Sequence, residues 1–219
     1  MSRQDDLQRV IQSGIVAVIR SQSSDQLVQV AEALYEGGVD VLEVTFTVPR
    51  ALEIIAAVRQ KLGNKVLLGA GTVLDPETAR AALLAGAEYI VSPVVNTDVI
   101  KLCSRYDKMA MPGAFTPTEV LTAWEAGASV VKVFPADLVG PQYLKILHGP
   151  LPQVRLMPTG GVNLKTIGEF LRAGACAVGI GGSLIDQQAI REGQFGKITS
   201  LAAQYVELVK ATRAELAAK

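Results

Sequence analysis

Short apolar runs rich in valine and isoleucine alternate along the chain with longer segments in which apolar residues recur at helical spacing. The runs predict eight strands: Ile15 to Arg20, Val41 to Thr45, Val66 to Ala70, Tyr89 to Val91, Lys108 to Met111, Val130 to Phe134, Val154 to Pro158 and Ala177 to Ile180. Continuous apolar runs of this kind suit strands buried on both faces. The intervening segments predict helices. Ser24 to Tyr35 opens with serines suited to capping, and Pro76 to Ala85 and Pro117 to Ala126 each place a proline at the first turn behind Asp75 and Thr116. Phe195 to Leu216 reads as a long C-terminal helix whose apolar face includes Ile198, Leu201, Ala202, Tyr205 and Leu208. Strand and helix in strict alternation predict a parallel α/β fold, and eight such units favour a single-domain (β/α)8 TIM barrel over residues 1–219, with an N-terminal helical lead-in.

An internal echo supports a closed ring. Four segments share a helix end, a glycine turn and an apolar strand, with their glycines at 38, 86, 127 and 174. The interval is too long for one strand-helix unit and fits two, which suggests paired units repeated around a barrel. Aligned on these glycines, Glu43 follows Gly38 at the same offset as Lys132 follows Gly127. They are equivalent positions on the second and sixth predicted strands, so their side chains should enter the same interior layer near the carboxyl-end mouth.

Composition removes several alternatives. Twenty-one basic and 21 acidic residues balance, with 49% hydrophobic residues, so a substantial core can form and no basic stripe marks the chain as a nucleic-acid partner. No apolar run is long enough to span a bilayer, and Met1 to Gln12 lacks the apolar core of a secretory signal. A soluble, cytoplasmic protein is expected. Cys103 and Cys176, assigned to a helix and a strand, read as ordinary buried thiols. The single histidine, His148, reads as a helix C-terminal cap residue, and with no acidic cluster at the strand ends no metal site is expected. Trp124 and Tyr35 fall on amphipathic helices, as core or subunit-contact residues.

Lys132 carries the chemistry. Burial disfavours an ammonium ion, so a lysine in an apolar strand can become a neutral nucleophile that forms a Schiff base with a ketone. Such a lysine can equally extend its head to water or pair with a carboxylate, and a buried Lys132–Glu43 ion pair is the corresponding structural alternative. Two glycine-rich turns, Pro158-Thr159-Gly160-Gly161-Val162 and Gly179-Ile180-Gly181-Gly182-Ser183, follow the seventh and eighth predicted strands. Barrels frequently hold a phosphate there, because bare backbone approaches the anion closely, and Ser183 adds a hydroxyl donor.

The ordered set Leu42-Glu43-Val44-Thr45, Gly69-Ala70-Gly71-Thr72-Val73, Val91-Ser92-Pro93, Met111-Pro112-Gly113, Val131-Lys132-Val133-Phe134-Pro135, Pro158-Thr159-Gly160-Gly161 and Ile180-Gly181-Gly182-Ser183 resembles the 2-keto-3-deoxy-6-phosphogluconate (KDPG/KHG) aldolase family, from about Ile15 to Tyr205. The resemblance implies a trimeric class I aldolase that needs no cofactor and cleaves the phosphorylated keto acid to pyruvate and glyceraldehyde 3-phosphate. Relatives act on 4-hydroxy-2-oxoglutarate or on the galactonate epimer. Lys132 then matches the Schiff-base lysine and Glu43 the acid/base. Thr72, Pro93 and Phe134 match the pyruvate pocket, and Gly160, Gly161, Gly181, Gly182 and Ser183 match the phosphate site. Where many members carry an arginine four residues after the glutamate, this chain has Thr47. Arg20 is the nearest replacement for gripping the substrate carboxylate and Arg50 a second candidate, expected on an exposed helical turn. A sugar-phosphate isomerase or synthase, and a non-catalytic sugar-phosphate sensor, are the rival classes.

Overall fold

Helix α1 (Arg3–Ser13) opens the chain, fixed by a capping box between Ser2 and Asp5 and ended by Gly14 in the left-handed conformation. In the computed structural model, which describes residues 2–218, there follow β1 (Ile15–Ile19), α2 (Leu27–Glu36), β2 (Val41–Thr45), α3 (Ala51–Leu62), β3 (Leu67–Gly71), α4 (Pro76–Leu84), β4 (Tyr89–Val91), α5 (Thr97–Arg105), β5 (Met109–Met111) and β6 (Gly113–Ala114). Then come α6 (Pro117–Glu125), β7 (Val131–Val133), α7 (Gly140–His148), β8 (Leu156–Pro158), α8 (Ile167–Arg172), β9 (Val178–Ile180), α9 (Gln187–Arg191) and α10 (Phe195–Ala217). Among the described residues no helix is long and apolar enough to cross a membrane.

Every strand pairing is parallel. One sheet runs β5-β4-β3-β2-β1-β9 and a second runs β6-β7-β8. Only Pro112 separates β5 from β6. At the other seam a parallel bridge joins Thr159, just past β8, to Gly179 in β9. The echoed glycines Gly38, Gly86, Gly127 and Gly174 have φ of 89°, 112°, 100° and 98°, a turn that side chains with a Cβ rarely adopt.

Two apolar cores lie on opposite sides of the strands. The larger fills the space between strands and helices and includes Leu42, Val44, Val131 and Val133. The smaller lies inside the curl and is built from Val16, Val41, Leu67, Tyr89, Val91, Met109, Met111, Val130, Met157 and Ala177, joined by Leu7 and Val10 of α1. Because side chains alternate along a strand, Val41 and Val130 on the inner face put Glu43 and Lys132 there too.

The structure corrects the predicted elements at particular points. Pairing resumes beyond the fifth predicted strand, past Pro112, in the unpredicted β6, so Lys132 stands on β7 of nine strands among the described residues rather than on the sixth of eight. Arg20, Val66, Lys108, Val130, Phe134, Val154, Arg155 and Ala177 fall outside the strands to which they were assigned, and β3 ends at Gly71 rather than Ala70. The serines do not cap α2, which begins at Leu27 behind a left-handed Gln26. Ser23 instead closes a local turn with Asp25: its hydroxyl donates to the carboxylate and accepts from the Asp25 N–H. Cys176 precedes β9 rather than lying in it.

Candidate active site

Glu43 is 1% exposed and Lys132 6% exposed, both on the inner face and short of the mouth. The carboxyl of Glu43 leans across β3 at Gly71, where any side chain would occupy its place. Neither of its oxygens has a hydrogen-bond partner. Burial pushes the Glu43 carboxyl above the ordinary carboxylate range, while the positive charges of Lys132 and Arg20 pull the other way. The result is a carboxyl that holds its proton more readily than an exposed glutamate, which suits a group that must both take and give one.

Strand register supplies the other walls. Lys132 pairs with Gly113 on one side and Met157 on the other. Gly113 has no side chain because the Pro93 backbone occupies that space, an ideal Cβ falling 2.4 Å from the Pro93 carbonyl. Pro93 therefore stands one strand away from Lys132. Phe134 lies above it, with the lysine Nζ 5.2 Å from the ring centroid. Thr72 follows Gly71 directly and takes a positive φ of 58°.

Next to this pair is a cavity of about 310 Å³ whose wall includes Arg20, Phe134, Thr159, Gly160, Gly161, Gly181, Gly182 and Ser183. Eight residues proposed from sequence are thus brought onto one wall, from the ends of four different strands. Arg20 is the single cationic side chain on that wall. The Thr159 hydroxyl is buried without a partner and packs against Gly179, where a Cβ would be 2.2 Å away. The Ser183 hydroxyl donates to the Val162 carbonyl at 2.5 Å, so it must rotate to meet a ligand. Val162 and Gly179, members of the two turns, also line the cavity, as do Val18 and Asn163, which were not singled out beforehand. Adjacency to the glycine turns was the available signal for Asn163, and none marked Val18.

The cavity opens past Arg20 and Gly182 into a wider cleft of about 1020 Å³, where Thr47 meets Ser21, Gln22 and Arg191. Thr47 shares a 2.7 Å hydroxyl contact with Thr45, which stands above Glu43 on the inner face of β2. Arg50 sits just before α3 and is occupied elsewhere, donating to Ser24 and lying 3.6 Å from Glu53.

Other reactive groups lie outside this constellation. His148 is the last residue of α7, with Nε2 at 3.2 Å from the Val154 carbonyl oxygen. Burial pushes the thiols of Cys103 and Cys176 up to about 12 and about 11, which leaves them unreactive at neutral pH. Among the described residues no group of three or more His, Cys, Asp or Glu is arranged to hold a metal ion.

An amine and an acid inside a parallel sheet, beside glycine turns, is a combination found in known proteins. The family model described as KDPG and KHG aldolase matches residues 7–201. The 2-dehydro-3-deoxy-phosphogluconate aldolase of Treponema pallidum is 40% identical, over 89% of this chain and 93% of its own. The 2-dehydro-3-deoxy-6-phosphogalactonate aldolase of Escherichia coli is 34% identical, over 91% and 94%. A KDPG aldolase structure from Legionella pneumophila, with pyruvate captured as a covalent carbinolamine, superposes with a TM-score of 0.82 at 30% identity, over 90% of this chain and 96% of that one. With a match of this extent to the family model and to curated relatives, the chain belongs to the KDPG and KHG aldolase family.

Proposed function

We propose that this protein is a class I aldolase that reversibly cleaves 2-keto-3-deoxy-6-phosphogluconate to pyruvate and glyceraldehyde 3-phosphate through a Schiff base on Lys132. The observation that carries the reading is the shared inner face of Lys132 and Glu43, with both oxygens of Glu43 free of protein partners. In the free-amine form, Lys132 attacks the C2 ketone and gives a carbinolamine, the kind of adduct captured in the Legionella relative. Glu43 delivers a proton to the departing hydroxyl and the imine forms. The protonated imine draws the C3–C4 electrons, the aldehyde leaves as its C4 hydroxyl gives up a proton, and the enamine takes a proton at C3 before water releases pyruvate. No metal or organic cofactor enters this sequence.

Thr72, Pro93 and Phe134 enclose the pyruvate portion in this reading, and Gly160, Gly161, Gly181, Gly182 and Ser183 face the phosphate with Thr159. Arg20 meets an anionic end of the substrate. Residues 1–219 then form one domain in which the two sheets are arcs of a single eight-unit barrel, Pro112 marking one seam and the Thr159–Gly179 bridge the other. A cytoplasmic homotrimer completes the proposal, to be checked by light scattering in solution.

The galactonate epimer is the second substrate to compare, because a 34% identical relative carries that name, and 4-hydroxy-2-oxoglutarate is the third. Borohydride reduction in the presence of pyruvate tests the mechanism. Wild-type protein should gain a stable adduct at Lys132, and Lys132→Ala should lose both the adduct and turnover. An adduct retained by Lys132→Ala would assign the imine to another lysine. No adduct on wild-type protein would favour an isomerase or a sensor.

A further inference from the structure

We propose that Tyr89 positions Glu43 for proton transfer by reaching across β3 and pinning the Leu42–Glu43 peptide. This deepens the aldolase reading and rests on it. Gly69 pairs with Glu43 on one side and with Tyr89 on the other, so the three residues stand in one row of the sheet. The Tyr89 ring lies over the bare α-carbon of Gly69, where an ideal Cβ would fall 2.2 Å from its Cε2 atom. By crossing β3 there, the hydroxyl reaches β2 and donates to the Leu42 carbonyl oxygen at 2.7 Å. That carbonyl belongs to the same peptide as the Glu43 N–H.

Glu43 crosses the same strand one step nearer the mouth. An ideal Cβ at Gly71 would fall 1.8 Å from its Oε1. Two alternate glycines therefore cut a trough in β3, with the aromatic ring over one and the carboxyl over the next. The carboxyl has no hydrogen-bond partner to hold its head. Its place is set by the trough and by the backbone that carries it, and Tyr89 shapes both.

The hydroxyl is committed to Leu42. Burial drives its pKa well up, with Glu43 and then Asp40 adding to the effect, so Tyr89 acts through Glu43 and not as a proton donor itself. The charged groups that face Glu43 are Lys132 from β7 and Arg20 from the end of β1.

Removing the hydroxyl should let the carboxyl relax toward the mouth and water. Its burial falls and it becomes more acidic. In Tyr89→Phe, kcat should drop on the order of tenfold through loss of alignment, while KM for the keto acid stays near the wild-type value. The limb of the pH–rate profile that Glu43→Gln abolishes should move down by about half a unit. Val58→Ala, a cavity variant in the outer layer on α3, controls for lost stability and should keep both kcat and the limb. A folded Tyr89→Phe with wild-type kcat and an unmoved limb would overturn the inference. If that variant does not fold, 3-fluorotyrosine at position 89 keeps the ring and makes the hydroxyl a stronger donor. The limb should then move up, and an unmoved limb overturns the inference. Wild-type protein that fails to trap pyruvate with borohydride would instead sink the aldolase reading itself, a separate result.

Discussion

The Lys132 Nζ stands 5.2 Å from the centroid of the Phe134 ring, over its face. A ring face in that position attracts a cation, an interaction worth about 0.5–1 kcal/mol even where water screens it. The protonated imine is such a cation, and it forms on the same atom. Phe134→Leu keeps an apolar wall and removes the π face, so kcat should fall about two- to fivefold. Steady-state kinetics on the phosphorylated keto acid checks this, and an unchanged kcat would show that the ring acts only as a wall.

Gly71→Ala should be far more damaging than its size suggests. The added Cβ would fall 1.8 Å from Glu43 Oε1, so the carboxyl has to move. Gly71 has no positive φ, and alanine is tolerated by the strand backbone itself. Circular dichroism should remain that of the wild type while turnover drops about 10²-fold, the scale of a lost general acid/base. Loss of fold at 25 °C would mean the glycine serves packing before chemistry.

Much of this arrangement was legible because residue type and strand parity constrain each other. Glu43 and Lys132 share an offset from glycines that only a left-handed turn requires, so both fall on the inner face whatever the exact strand ends. The glycine turns beside the cavity were visible as motifs, and in the first of them Gly160 and Gly161 take φ of 102° and 68°. The break at Pro112 was not, because a proline after Met111 reads as a strand end, and nothing local says that pairing resumes at Gly113. Tyr89 was hidden for a different reason. A tyrosine in a short apolar run reads as core, and its reach to Leu42 depends on Gly69, twenty positions earlier in the chain and on the neighbouring strand.

Asp6 is wholly buried on α1, and neither of its oxygens has a partner. Burial raises its carboxyl above the ordinary range, Glu88 adds to the rise, and Lys108 opposes it. Glu43 is raised by burial in the same direction. A carboxyl raised in the folded state binds more protons folded than unfolded, so its contribution is intact below its unfolded value and is lost as pH rises through its folded value. Asp6→Asn should therefore stabilise the protein little at pH 4 and increasingly toward pH 8, where melting temperature should rise by about 2–4 °C. Thermal melts across that range check the sign. A gain largest at acid pH would contradict it.

Arg20 lines both the cavity beside the glycine turns and the wider cleft, and its charge is felt by Glu43. With Thr47 in the position where an arginine was expected, Arg20 was assigned from sequence to the substrate carboxylate. Its place on the wall that carries Gly160, Gly161, Gly181 and Gly182 now makes the phosphate a competing partner. One guanidinium grips one oxyanion bidentately at a time. The two roles separate on substrates that differ only in having a phosphate. If Arg20 holds the phosphate, Arg20→Ala should raise KM for the phosphorylated keto acid by about tenfold, a charge-assisted contact of roughly 1.5 kcal/mol. The same variant should then leave 4-hydroxy-2-oxoglutarate cleavage and pyruvate trapping within about twofold of wild type, a free-energy difference of about 0.4 kcal/mol. If it holds the carboxylate, all three should weaken together. The phosphate outcome is expected, because Arg20 is the one cation on a wall otherwise made of uncharged groups.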